Sequence, residues 1–177
     1  MTIAPAALTL LRARVVDNSL SSTERGNALT DYVSLLLADV PGVTVSYRNA
    51  LDHHGAEEID VGFHNAQRAR GLLSLDRFVL VECKNWSTAV TSAEVAWFRT
   101  KLEDRGLRDG LLVARSGITG SPEGLTAARN IVSTALPSNR RLLVVTWADI
   151  KPLISGRALV RLVEYKVAEL LVMRANF

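Results

Sequence analysis

Three residues of this chain have the types and spacing to do chemistry together: Asp60 inside the apolar run EEIDVGF, and Glu82 and Lys84 one residue apart inside RFVLVECKNW. An ionised group in a run that reads as buried strand is costly unless it is paired, hydrated or bound to a metal. Side chains alternate along a strand, so Leu80, Glu82 and Lys84 share one face while Val79, Val81 and Cys83 share the other. If the strand bearing Asp60 pairs with the one bearing Glu82 as a meander, the two carboxyl groups stand side by side. Both ionised, they repel, and a divalent cation between them removes the repulsion and uses their oxygens as hard ligands. Mg2+ fits that description, with Mn2+ as a substitute. Such a cation can hold a phosphodiester oxygen and acidify an attacking water. The Lys84 ammonium beside it can orient or help deprotonate that water and offset charge on the phosphorane.

The helices and strands that would carry these residues can be read along the chain. Leu8, Leu11 and Val15 predict a short helix over residues 5–17, followed by a break at Asn18–Ser22. Ser21 and Glu24 have capping-box spacing, and Leu29, Val33, Leu36 and Leu37 form one apolar stripe, predicting an amphipathic helix that ends at Pro41-Gly42. Strands are predicted at Val43–Arg48, where Val43, Val45 and Tyr47 alternate, at Glu58–Phe63 and at Arg77–Lys84, with a polar turn at Asn49–Ala56. The period then changes: Val95, Phe98 and Leu102 predict a helix over Ser92–Asp104. GLLVAR (Gly110–Arg115) and RLLVVT (Arg141–Thr146) read as buried strands separated by a helix over Pro122–Leu136. Two helices, near Ala148–Ile154 and Gly156–Arg174, close the chain. An antiparallel meander thus joins a βαβα half, giving an α/β fold with a mixed sheet and helices on both faces.

In this order of elements, Asp60 followed by Glu82-Cys83-Lys84, then a helix and an apolar strand, resembles the PD-(D/E)xK nuclease superfamily. The wording of the ECKNW strand end, of EVAWFRTKLEDRG and of GLLVARSGITG is similar to its Mrr-like branch, found in type IV restriction and related defence proteins. The resemblance covers about Ser22 to Thr146. It implies a restriction endonuclease-like fold, a mixed sheet with an αβββαβ core flanked by helices, to which this chain adds a C-terminal strand and helices. It also implies a Mg2+-dependent endonuclease acting on DNA in restriction or phage defence, with Asp60 and Glu82 as metal ligands and Lys84 as the catalytic lysine. RNA stays open as a substrate. Members of the branch often carry a further acidic residue in a segment resembling G-x-x-L-E. Here the stretch is Gly26-Asn27-Ala28-Leu29-Thr30, so Thr30 stands at that position, with Asp31 and Glu24 as accessory candidates. That departure keeps in view a catalytically silent module that binds nucleic acid or a partner protein; an enzyme resembling Holliday-junction resolvases, recognising branched DNA by shape, is a third reading.

Other residues admit plainer readings. His53 and His54 lie in a polar turn, where solvation or a phosphate contact is expected before a zinc site, since His64 has no cysteine partner. Cys83 reads as a small buried hydrophobe opposite Glu82. Asn85 and Trp86 leave the strand at the expected substrate edge, where the indole can stack on a base or cover the core. Phe98 is assigned to the core and Trp97 is left open. Ser116–Gly120 reads as a strand-to-helix turn before a phosphate cradle, with Arg115 alongside as a nucleic-acid contact. Among the arginines in connections, Arg68, Arg70, Arg77, Arg105, Arg108, Arg140 and Arg141 include candidates for tracking a backbone.

Composition bounds the rest. With 177 residues, 48% of them hydrophobic, the chain fits one domain, with a nuclease-like core over about 22–146 and a helical extension over 147–177. It has no apolar run of membrane-spanning length and no signal-peptide pattern, and its one cysteine forbids an internal disulfide, so a soluble cytoplasmic protein is expected. A net charge of +3 permits nucleic acid without demanding it. No Walker or GxGxxG pattern implies a nucleotide cofactor. Cutting both strands of a duplex would require a homodimer, and any specificity or activation would come from a fused or separate partner, because no DNA-reading motif stands out.

Overall fold

The computed structural model describes residues 3–52, 57–120 and 127–174. In chain order it forms α1 (Pro5–Val16), α2 (Ser22–Ala38), β1 (Val43–Leu51), β2 (Glu58–Asn65), β3 (Phe78–Lys84), α3 (Ser92–Asp104), β4 (Asp109–Ala114), α4 (Ala127–Ala135) with a short 3-10 turn (Leu136–Ser138), β5 (Arg141–Thr146), α5 (Trp147–Ile150) and α6 (Gly156–Met173). The sequence order of helices and strands is therefore the observed one. The predicted start of the fourth helix at Pro122 lies outside the described residues, as do His53 and His54.

The five strands form one mixed sheet in the order β1-β2-β3-β4-β5. β1 to β3 are an antiparallel meander, and β4 and β5 continue parallel to β3. Parallel neighbours need crossovers, and α3 and α4 supply them. α3 lies against the face that carries Glu82 and Gly110: a Cβ added to Gly110 would stand 2.7 Å from both Leu102 Cδ1 and Phe98 Cζ. α2 and α6 cover the opposite face, with the Gly156 N–H donating to Asp39 Oδ2 at 2.7 Å. Enclosure on both faces explains why β4 is buried at every one of its 6 positions and, after Asp109, reads as an apolar run.

Local chemistry accounts for the element ends. Ser21 Oγ accepts the Glu24 N–H at 3.2 Å while Glu24 Oε2 accepts the Ser21 N–H at 2.8 Å, so the predicted capping box opens α2. Its apolar stripe is buried at Leu29, Val33, Leu36 and Leu37. β1 extends to Leu51, beyond the expected Arg48, and contains a bulge: Val45 pairs with Phe63 but Tyr47 pairs with Gly62. The extra residue turns Tyr47 onto the other face, where it is 59% exposed, and so breaks the expected Val43, Val45, Tyr47 alternation. β2 ends later than expected, because Asn65 is fully buried and its Nδ2 donates to the Leu72 carbonyl at 2.7 Å. At the start of β5, buried Arg141 grips Asp109 through two bonds of 2.6 Å. Arg141 is thereby committed to the core and is not a backbone-tracking arginine. No described helix is long and apolar enough to cross a membrane.

Candidate active site

The site forms where β2 leaves β3. Their ladder pairs Val61 with Val81 and is not continued beyond that pair, whereas β3 stays paired with β4 as far as Lys84 and Ala114. Asp60 compensates for the divergence: its Oδ2 accepts the Cys83 N–H at 2.6 Å, a donor that the departing backbone of β2 no longer serves. Its Oδ1 takes no hydrogen bond or ion pair from any described residue. The strand end thus holds Asp60, Glu82 and Lys84 on one cleft wall, in a cavity of about 470 Å³ whose lining also includes Gly26, Trp86, Glu94, Trp97 and Lys101.

Inside that cleft the charges form a chain. Lys84 Nζ sits 3.0 Å from Glu82 Oε1 and 3.0 Å from Glu94 Oε2, and Lys101 Nζ sits 3.0 Å from Glu82 Oε2. Both oxygens of the buried Glu82 carboxylate are therefore paired with lysines. Glu94 and Lys101 come from α3, seven residues and about two turns apart, along the edge of the Val95, Phe98 and Leu102 stripe that seats the helix. Neither was identified from sequence. The signal was present as two opposite charges on one helical face, but which strand that face meets is not written locally.

The electrostatics follow from burial and from this pairing. Burial, and then the Glu82 charge, push the Asp60 carboxyl up to about 6, with the Cys83 N–H and Lys84 opposing. Burial alone would lower the Lys84 amine, but Glu82 and Glu94 outweigh it and hold it above its ordinary value, so Lys84 is an ammonium at neutral pH. The Cys83 thiol is pushed well above its usual range, by burial first and by Asp60 second, and Thr30 is its hydrogen-bonding neighbour. Cys83 is thus inert packing against α2, as its position in the strand suggests.

These residues fit a hard divalent cation. Asp60 and Glu82 offer carboxylate oxygens, Asp60 retains an oxygen without a partner among the described residues, and the cost of ionising it, set by burial and then by the Glu82 charge, is what a cation relieves. Among the described residues no group of three or more His, Cys, Asp or Glu side chains is arranged to hold a metal. A cation bound by this pair would complete its shell with water.

The remaining candidates separate into those at the cleft and those elsewhere. Trp86 lines it, 39% exposed, with Lys84 Nζ 5.3 Å from the centre of its ring. Trp97 is 49% exposed on the same rim, and Phe98 is core. Asn85 also lines the cleft, but its Nδ2 donates to the carbonyls of Val15 and Arg25 at 3.0 and 2.7 Å, so its amide ties the strand end to α1 and α2. Arg115 extends the ladder through its N–H to the Lys84 carbonyl at 2.9 Å, and its side chain is not part of the cleft lining. Glu24 is an exposed cap. Asp31 pairs with Arg48 at 2.9 Å in a separate groove between α2 and β1. Neither replaces the carboxylate missing at Thr30, whose hydroxyl donates to the Gly26 carbonyl at 3.3 Å. Ser116–Gly120 is a turn whose Gly117 and Thr119 N–H groups bond Ala114 and Val90 carbonyls, not an open cradle. His64 packs on Phe78 with ring centres 5.2 Å apart, and Arg105 pairs with Glu57 at 2.6 Å. Set against known protein families and curated proteins, the chain matches no family model and no curated sequence.

Proposed function

We propose that this chain is a Mg2+-dependent endonuclease that hydrolyses DNA phosphodiester bonds, a PD-(D/E)xK protein of the Mrr-like branch with the restriction endonuclease-like fold. The observation that carries the reading is the convergence of Asp60, Glu82 and Lys84 at the point where β2 leaves β3. Asp60 and Glu82 would hold the cation, with Mn2+ accepted in place of Mg2+. When bound, the cation supplies Lewis acidity toward the phosphodiester and a more acidic water. Lys84, fixed as an ammonium by Glu82 and Glu94, supplies positive charge where the phosphorane gathers negative charge, so its part is electrostatic stabilisation and orientation, not proton abstraction. Trp86 stands on the rim, where it can stack on an unpaired base or flank the backbone.

A second reading, a silent module that binds nucleic acid or a partner protein, is favoured by two features: Thr30 brings no third carboxylate, and both Glu82 oxygens are already paired. Cleavage of supercoiled plasmid and of single-stranded DNA by wild type, Asp60→Ala and Lys84→Ala, in Mg2+, Mn2+ or EDTA, separates the two. The nuclease reading expects metal-dependent cutting, abolished in Asp60→Ala and reduced on the order of 10²- to 10³-fold in Lys84→Ala. DNA binding that is the same in Mg2+ and EDTA, with no cutting in any metal, supports the silent module.

A further inference from the structure

We propose that Lys101 is an internal counter-ion that competes with the divalent cation for Glu82 and so sets how tightly the site takes metal, an inference that rests on the metal-site reading above. The Lys101 ammonium is enclosed, with 8% of its side chain exposed. It donates to Glu82 Oε2 at 3.0 Å and to the Glu58 carbonyl at 3.0 Å. The Glu58 contact is to a neutral carbonyl oxygen, so among the described residues Glu82 is the one carboxylate in direct ion-pair contact with Lys101. Lys84 is placed differently. Its side chain is 20% exposed, and if Glu82 is withdrawn it keeps an ion pair with Glu94.

A cation approaching the Asp60–Glu82 pair therefore meets a carboxylate already paired with a lysine that makes no second ion pair among the described residues. A buried charge that loses its only opposite partner is strongly penalised. The two positive charges also repel across a short, poorly screened distance. Lys101 in consequence makes the site a weaker metal binder than two bare carboxylates would be. In the absence of metal it keeps Glu82 pointed into the cleft, so the carboxylate is held in place and not scattered by repulsion from Asp60.

The test is Mn2+ binding without DNA, read from the free aquo-ion signal in electron paramagnetic resonance, for wild type, Lys101→Met, Lys101→Arg and Asp60→Ala at one ionic strength. Methionine keeps the length of the stem and removes the charge, and arginine keeps the charge. Lys101→Met should bind Mn2+ about tenfold more tightly than wild type, while Lys101→Arg stays within about twofold of wild type. Thermal melts accompany each titration, and Lys101→Gln, with the same expected tightening, decides the matter if Lys101→Met is unfolded. Equal or weaker Mn2+ affinity in the folded neutral variant, with binding still lost in Asp60→Ala, overturns the counter-ion role and leaves the metal site standing. Binding that survives in Asp60→Ala, or that is missing from every protein, overturns the metal-site reading and this inference with it.

Discussion

Asp60 is the residue at which folding and chemistry pull in opposite directions. Its carboxyl is pushed up to about 6 by burial and by the Glu82 charge. The folded protein keeps the Asp60 proton up to about pH 6, whereas the unfolded chain releases it near 3.8. Within that window the native state binds the extra proton, so the stability this group contributes is full below about pH 3.8, declines as pH rises, and is gone above about pH 6. Asp60→Asn removes the ionisation and keeps an oxygen for the Cys83 N–H. In EDTA at about pH 7.5 the variant should be more stable than wild type by on the order of 2 kcal/mol, and the gain should vanish near pH 4. Chemical denaturation at the two pH values measures this, and a variant no more stable than wild type at about pH 7.5 would show that the ionised carboxylate is not strained. The neighbourhood of Asp60 and Glu82 was legible because strand alternation is strict and meander pairing is the default for consecutive strands. The lysine that shares Glu82 from α3 was not legible, because it arrives from a helix that is seated on that face of the sheet, at Gly110, by packing between residues distant in sequence.

Two elements frame the site, and each carries its own prediction. At α2, Glu24 was held both as a helix cap and as an accessory acidic residue, and its bonds to the Ser21 N–H and Oγ, at 2.8 and 2.7 Å, place it in the capping box. Glu24→Ala should lower the melting temperature by a few degrees and, on the nuclease reading, leave DNA cleavage at the wild-type rate. Loss of cleavage in a folded variant would return Glu24 to the chemistry. At α3, the helix rests on a strand position where no side chain fits, with Leu102 and Phe98 2.7 Å from the place of a Gly110 Cβ. Both are fully buried, so neither swings aside freely. Gly110→Ala should destabilise the protein by about 1 to 3 kcal/mol in urea denaturation. It should also displace Glu94 and Lys101 from their partners on β3, weakening cleavage beyond what the fraction unfolded explains. A change below about 0.5 kcal/mol would mean that α3 reseats without strain. The amphipathic stripes of both helices and the apolar runs of β4 and β5 were plain in sequence. The bulge in β1 was not, because one extra residue leaves the alternating pattern locally intact while turning Tyr47 onto the opposite face.

At the scale of the molecule, the nuclease reading gives the described residues one Asp60–Glu82–Lys84 site, and so one strand cut per encounter. On the nuclease reading, supercoiled plasmid should pass through open circles before linear product, with the linear fraction rising at protein concentrations where light scattering detects a dimer. Linear product from the first time points, at concentrations where the protein is monomeric, would contradict one cleft acting alone. The order of helices and strands, the mixed sheet and the strand positions of Asp60, Glu82 and Lys84 were legible in the chain, because hydrophobic period, capping residues and turn residues are local properties of it. Packing in three dimensions set the parting of β2 from β3 beyond Val61, which leaves Asp60 to serve the Cys83 N–H. It also decided that Asp31 faces Arg48 away from the cleft, that Asn85 is a tie between α1 and α2, and that Glu94 and Lys101 complete the charge chain around Glu82. Those outcomes depend on where a strand diverges and how a helix seats on the sheet, which are set by packing between residues distant in sequence and leave no periodic trace in it.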